Sequence, residues 1–252
     1  MKTNDFSLKR IKLLIHRQWV LSAKSWRIAM IAATGINFAI SLLILFTTQN
    51  PANTLQSFKV SMLITFSIMG AVFASEAFKE LQEPNTSVTF LTLPASIFEK
   101  FLTAWLFTFP VYLILSYIVY RFSIVLLYVI AKSFFVVDFS VGSESWSSIG
   151  TLFFVGFIVH AVFFLGASWF KKLSFFKTLL VLFSISMLHN LWLYIWGRLL
   201  LPVNDLAEKE FAFNGIVISN PESIVWGLKI FMLVVAIMCL ITAYFKLKER
   251  EG

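Results

Sequence analysis

Long apolar runs separated by short charged clusters make up most of the chain. Six of these runs approach or exceed the length of about 20 residues with which a helix crosses a membrane. They cover residues 28–46, 60–78, 101–120, 147–170, 177–201 and 224–245. Most of them have no polar face, whereas a helix on the surface of a soluble protein turns one face to water. The pattern therefore predicts an all-α polytopic membrane protein with six transmembrane helices, folded as one domain over residues 1–252.

The first 27 residues have a different, amphipathic pattern. Leu8, Ile11, Ile15 and Trp19 recur at helical spacing, and cations occupy much of the remaining surface. An amphipathic helix of this kind lies along the membrane with its cations among the lipid headgroups. We therefore expect an interfacial helix over residues 1–27, ahead of the first span.

The third apolar run raises two points of interpretation. It continues beyond residue 120 and is interrupted by Arg121, which we expect at the level of the outer headgroups, with residues 122–139 extending outside or lying along the outer surface. A buried, functional Arg121 is the second interpretation. Pro110 predicts a kink within the span.

Composition supports the membrane class. Hydrophobic residues make up 59% of the 252 positions and charged residues 13%, against about 45–50% and about 25% in soluble domains. The net charge is +8, and the basic residues cluster beside the apolar runs. This placement predicts contact with lipid headgroups and not with nucleic acid. Cys239 is the single cysteine, and no Cys/His cluster has the spacing of a metal site.

The distribution of positive charge predicts the orientation, because cytoplasmic loops are rich in Lys and Arg. With the N-terminus inside, most of the 21 basic residues fall on the inner side. They are Lys2, Lys9, Arg10, Lys12, Arg17, Lys24, Arg27, Lys79, Lys100, Lys171, Lys172, Lys177, Lys246, Lys248 and Arg250. We therefore expect both termini in the cytoplasm, the chain in the inner (cytoplasmic) membrane, residues 79–100 inside and residues 202–223 as an outer loop.

The segment 79–100 is polar and contains several residues that start, cap or end a helix. Pro84 and Asn85 stop the preceding helix, because proline lacks a backbone donor and disfavours helix in the residue before it. One of the residues 85–87 can then cap a new helix that runs from Val88 to about Thr92. Pro94 ends this helix. Ser96 and Glu99 have the spacing of a capping box for the third span.

This segment resembles the first cytoplasmic loop of ABC-exporter permeases of the type-2 class, which export drugs, antimicrobial peptides and polysaccharides. Such loops begin with an acidic residue and Gly-Thr, continue as a short helix ending in Leu-Leu, and close with x-Pro-x-Ser and a basic residue. Here Glu80 and Glu83 stand at the acidic start. Asn85-Thr86 stands where the family has Gly-Thr, and asparagine also tolerates left-handed geometry.

The second half of the segment continues the resemblance. Phe90-Leu91 corresponds to the Leu-Leu end of the short helix. Leu93-Pro94-Ala95-Ser96 matches x-Pro-x-Ser, and Glu99-Lys100 opens the third span. The match covers residues 80–100 at the level of motifs, and the rest of the chain in its order of helices.

The resemblance implies a function and a set of partners. In that family the short helix is a coupling helix, which docks on a cytoplasmic ABC ATPase and transmits the motion driven by ATP. This chain has no Gly-x-x-x-x-Gly-Lys-Ser/Thr loop, so ATP and magnesium would be bound by the separate ATPase and this subunit would have no catalytic residues. The chain would be a half-permease that pairs with a second copy or with a sister permease. The implied ATPase-binding residues are Glu80, Thr86, Ser87, Leu91, Leu93, Pro94, Ser96 and Glu99.

An intramembrane enzyme, similar to a protease, is the alternative function. His160 and His189 lie within the fourth and fifth spans, where ionisable side chains are often functional. The simpler interpretation is that both histidines are neutral and make hydrogen bonds between helices or line a cavity, and we prefer it. A channel or secondary transporter is less favoured, because the chain shows no convincing internal repeat.

Overall fold

The computed structural model describes residues 6–48, 51–81, 84–135, 146–200 and 221–251, and these ranges contain helices and turns but no strand. Eight α-helices follow one another within these ranges. They are α1 (Leu8–Thr48), α2 (Pro51–Ser75), α3 (Pro84–Leu91), α4 (Ile97–Leu106), α5 (Tyr112–Phe135), α6 (Trp146–Trp169), α7 (Ser174–Leu200) and α8 (Pro221–Glu251). A 3₁₀ turn, Lys79–Leu81, precedes α3, and a π-helical turn, Phe107–Val111, joins α4 to α5.

The structure confirms an all-α chain with helices suited to a membrane. Among the described residues, five stretches are long and apolar enough to cross it: Leu8–Ile44, Ser57–Ser75, Ile97–Ile130, Ser174–Trp196 and Val225–Arg250. A shorter apolar stretch, Phe153–Trp169, belongs to α6. These features are consistent with a multi-pass membrane protein. The expected outer loop, residues 202–223, lies almost entirely outside the described residues.

The N-terminal region differs from the sequence-based expectation. The structure has no boundary between an interfacial helix over residues 1–27 and a first span, because α1 is one helix of 41 residues. At 1.5 Å per residue it is about 60 Å long, roughly twice the thickness of the hydrocarbon layer. The stretch 21–27 lies where the charged N-terminal region gives way to the apolar run from residue 28, but it contains no proline or glycine, so nothing in it stops a helix.

The third span also differs from its predicted extent. The helical rod from Ile97 to Phe135 passes Arg121, which is half-buried, and continues well beyond residue 120. The predicted irregularity at Pro110 takes the form of the π-helical turn. Proline removes a backbone donor and its ring clashes with the preceding turn, and a π-helical turn is one way for a helix to accommodate this disruption.

Helix α6 lies at the centre of the bundle and packs against α2, α7 and α8. Its buried residues include the small Ala161, Gly166 and Ala167, and Gly166 lies directly against Thr178 of α7. At one end of the bundle a core cluster brings together Phe78, Phe164 and Leu247 of three different segments. Small residues allow the close helix approach on which packing in a membrane depends.

Several chain segments meet at the same end of the bundle as α3, which we call the α3 pole. The Phe6 ring lies 6.2 Å from Phe98, and the Tyr244 ring lies 6.3 Å from Phe98. Arg250 donates a hydrogen bond of 3.0 Å to the carbonyl oxygen of Trp169. The beginning of α1 and the end of α8 are therefore at one pole.

Replacing Gly166 by alanine should destabilise the fold. A Cβ at this position would overlap Thr178 Oγ1 of α7, whereas a Cβ at Gly156 of the same helix would meet nothing within 4 Å. Overpacking of a tight contact costs about 1–3 kcal/mol. We expect Gly166→Ala to lower the melting temperature in detergent and Gly156→Ala to leave it unchanged or raise it. Equal melting temperatures for the two variants would contradict this packing.

Candidate partner-binding surface

The short helix α3 presents apolar side chains at the surface of the pole. Val88 is 62% exposed and Leu91 38% exposed, and the neighbouring Thr89, Thr92 and Pro94 are also exposed. Val88 and Leu91 are three residues apart and therefore lie on one helical face. The helix begins at Pro84, four residues before the predicted start at Val88, because proline fits the first helical turn, where its missing N–H has no partner to lose.

A two-pronged ion pair fixes the chain ahead of α3 to helix α1. Arg17 donates from both terminal nitrogens to the Glu80 carboxylate, at 2.9 Å and 2.8 Å. Each side chain is about one-third exposed. A paired geometry of this kind specifies orientation as well as attraction, because the planar guanidinium matches the carboxylate. Glu80 also accepts a bond through its carbonyl oxygen from Thr86 Oγ1 at 2.8 Å, which ties it to α3.

Glu99 connects the start of α4 to the start of α1 through one buried carboxylate. Its side chain is fully buried, and Oε2 accepts from the backbone N–H of Ser96 at 2.9 Å while Ser96 Oγ accepts from the Glu99 N–H. The predicted capping box is thereby confirmed. The other oxygen, Oε1, accepts from the Ser7 N–H at 2.7 Å and from Arg10 Nε at 3.2 Å. A buried carboxylate is stable only when such partners replace its hydration.

Lys100 holds the other end of α3. It is buried, and its Nζ donates to the carbonyl oxygen of Leu91 at 3.2 Å and lies 5.2 Å from the centre of the Phe90 ring. The last carbonyls of a helix carry partial negative charge, so a cation there is favourable. Together with Glu80, Lys100 fixes α3 at both ends.

A small cavity lies beneath α3 but does not suit a substrate. It has a volume of about 20 Å³ and is lined in part by Leu14, Phe90, Lys100 and Thr103. Among the described residues, the buried Thr103 Oγ1 has no hydrogen-bond partner. Such a volume suits a single water molecule. This pole therefore resembles a contact surface more than a ligand pocket.

The predicted site residues fall into two groups. Thr86, Leu91 and Pro94 are exposed, and Ser87, Leu93 and Ser96 are half-buried, so these six remain at or near the surface. Glu80 and Glu99 are instead engaged inside the chain, where Arg17 and Arg10 hold them. The two acids therefore position the segment, and the exposed side chains are the ones that a partner could touch.

The ion pairs of Arg10 and Arg17 were not predicted from the sequence. The two arginines are seven residues apart, which puts them on the same helical face, two turns from each other. Arg17 pairs with Glu80, which is 63 residues away along the chain, and Arg10 pairs with Glu99, which is 89 residues away. The seven-residue spacing was a usable signal, but no local rule indicates which acids the arginines meet.

The two membrane histidines are not brought together. His160 is buried, its Nε2 lies 2.9 Å from Thr108 Oγ1, and its ring stacks on Phe164. His189 lies on a stretch of α7 where every side chain is exposed, and its ring lies near that of Trp192. The described residues contain no group of three or more His, Cys, Asp or Glu side chains that could hold a metal ion.

Comparison of the chain with protein-family models, with curated proteins and with solved structures gave no match.

Replacing Glu99 by alanine should destabilise the protein strongly. The variant would remove the hydrogen bonds that Glu99 accepts from two backbone N–H groups and from Arg10 Nε, and we expect a loss of about 2–4 kcal/mol in the free energy of unfolding. This loss in the free energy of unfolding is measured by unfolding the protein in mixed micelles with an increasing fraction of dodecyl sulfate. The control is Glu76→Ala, whose carboxylate is 45% exposed and pairs with the exposed Lys79. This variant should change stability by less than about 0.5 kcal/mol. Similar losses for both variants would show that Glu99 does not have this role.

Proposed function

We propose that this chain is the permease subunit of an ATP-driven ABC exporter, and that α3 docks on a separate cytoplasmic ATPase. The observation that carries the proposal is the short, exposed helix α3, fixed at both ends and presented between two helices suited to a membrane. Docking of a helix in a partner's groove uses apolar anchors on one face. Val88 and Leu91 supply such a face.

The fixed ends of α3 support a mechanical role. A push on a helix moves the rest of a protein only when the helix does not turn or slide on its own. The Arg17–Glu80 pair links α3 to α1, the Lys100–Leu91 bond links it to α4, and Glu99 links α4 to the start of α1. A displacement of α3 would therefore act on α1 and α4 together.

The charge at the α3 pole supports a cytoplasmic location for α3. Basic residues of α1, of the α6–α7 turn and of α8 lie at or near the pole, where the two ends of the described chain also meet. Cations next to spans mark the cytoplasmic side. In this proposal the protein lies in the inner membrane with both termini in the cytoplasm, ATP and magnesium are bound by the ATPase, and a second permease unit completes the pathway.

Purification of the tagged protein in mild detergent from its native cell tests the proposal, with mass spectrometry of what accompanies it. We expect a stoichiometric protein that carries a Gly-x-x-x-x-Gly-Lys-Ser/Thr loop. Leu91→Asp should weaken its binding by about 30-fold or more, because a central interface residue contributes about 2 kcal/mol or more.

The matched control is Thr89→Asp, which adds the same charge to an exposed position on the opposite side of α3. It should retain more of the partner than Leu91→Asp does. Recovery of the chain without an ATPase under several mild conditions would contradict the proposal and would direct attention to the alternative enzyme function.

A further inference from the structure

Helix α7 leaves the bundle after its first turns. Ser174 and Thr178 are buried against α2 and α6, and Ser174 Oγ donates to the Ser75 carbonyl oxygen at 2.6 Å. From Leu179 to Trp196 every side chain is exposed. This stretch of 18 residues is about 27 Å long, close to the thickness of the hydrocarbon layer, so nearly the whole membrane-crossing part of α7 has exposed side chains.

Three polar side chains lie on one face of this exposed stretch, and we call them the α7 stripe: Ser186, His189 and Asn190. At 100° per residue, His189 and Asn190 fall about 60° to one side and about 40° to the other side of Ser186. All three are near the middle of α7, which runs from Ser174 to Leu200. The stripe therefore lies close to the middle of the bilayer.

Lipid is an unfavourable neighbour for this stripe. Asparagine, serine and histidine in membrane helices face other helices or a water-filled cavity, because hydrocarbon offers no hydrogen bond. Asn190 Nδ2 donates to the Ser186 carbonyl oxygen at 2.8 Å and also lies 3.4 Å from Ser186 Oγ. The amide still has its carbonyl oxygen to offer to a partner.

We propose that the α7 stripe binds the α7 stripe of a second copy of this chain. Two copies inserted with the same orientation place identical stripes at the same depth. Ser186 and Asn190 each carry both a donor and an acceptor, and neutral His189 carries one of each, so the stripe is complementary to itself about a two-fold axis. The flanking Leu182 and Leu193 lie on the same face and are exposed, which supplies apolar contact around the hydrogen bonds.

This inference rests on the proposed function in one respect: it names the surface through which the second permease unit would pair. Its physical argument uses α7 alone. The experiment below involves no ATPase, so a failure here is distinguishable from a failure of ATPase docking.

Disulfide cross-linking in native membranes tests the interface. The single Cys239 is first replaced by serine, and then Ser186→Cys or Asn190→Cys is introduced into that background. Mild oxidation with copper phenanthroline should convert most of each variant into a disulfide-linked dimer, because the two-fold axis brings like positions together. Leu188→Cys is the matched control: Leu188 is exposed, at the same depth, and on the opposite face of α7. It should cross-link far less.

Three results would overturn the inference. The first is equal cross-linking of all three cysteine variants, which would indicate random collision. The second is the absence of dimers together with rapid labelling of the Ser186→Cys and Asn190→Cys variants by a membrane-impermeant thiol reagent, which would indicate a water-filled path within one chain. The third is the absence of both dimers and labelling, or cross-linking to a different protein.

A substitution without cysteine gives a second measurement. Asn190→Leu keeps a side chain of similar size and removes the amide. The dimer in detergent should dissociate about threefold to tenfold more readily, which is the range expected for hydrogen bonds between membrane helices. An unchanged dissociation constant in this variant would show that Asn190 does not contribute to the contact.

Discussion

The buried carboxylate of Glu99 is the interaction on which the α3 pole depends. Hydrogen bonds reach it from the first turn of α4, from the backbone of Ser7 and from Arg10. A charge removed from water needs all of these partners, so the starts of α1 and α4 are fixed relative to each other. The start of α1 is consequently held against the start of the third span. The Arg17–Glu80 pair adds a second link two turns along α1.

These links give α3 its place in the proposed mechanism. The helix has only eight residues and would not be stable alone, because isolated helices shorter than about 12 residues are marginal in water. Its stability therefore comes from Lys100, Thr86 and the segments that hold them. An exposed apolar face on a firmly held short helix fits a docking element, and α1, which continues unbroken from the pole toward the other side, provides a path for motion.

The local features of the fold were predictable from the sequence. Hydropathy indicates the helices suited to a membrane, and the Ser96/Glu99 spacing predicts the capping box, because both depend on neighbours along the chain. The predicted start of α3, Val88, was wrong by four residues. Pro84 was interpreted as the end of the preceding helix, although proline also fits the first turn of a new helix. The unbroken α1 was missed because a change from polar to apolar residues alters the surroundings of a helix without ending it.

The long-range features were not predictable in the same way: Arg10 and Arg17 had suitable spacing, but their pairing with Glu99 and Glu80 depends on how the helices pack. The exposure of the α7 stripe likewise follows from the departure of α7 from the bundle, which no periodicity in that helix reveals, because it is apolar nearly all round.

Photo-cross-linking from position 88 in living cells is the most direct test of the central claim that α3 docks on an ATPase. A photoreactive amino acid replaces Val88, the most exposed apolar residue of α3. The account predicts one dominant cross-linked protein that carries a phosphate-binding loop of the ATPase type. Cross-links confined to lipid, or to proteins without such a loop, would contradict it.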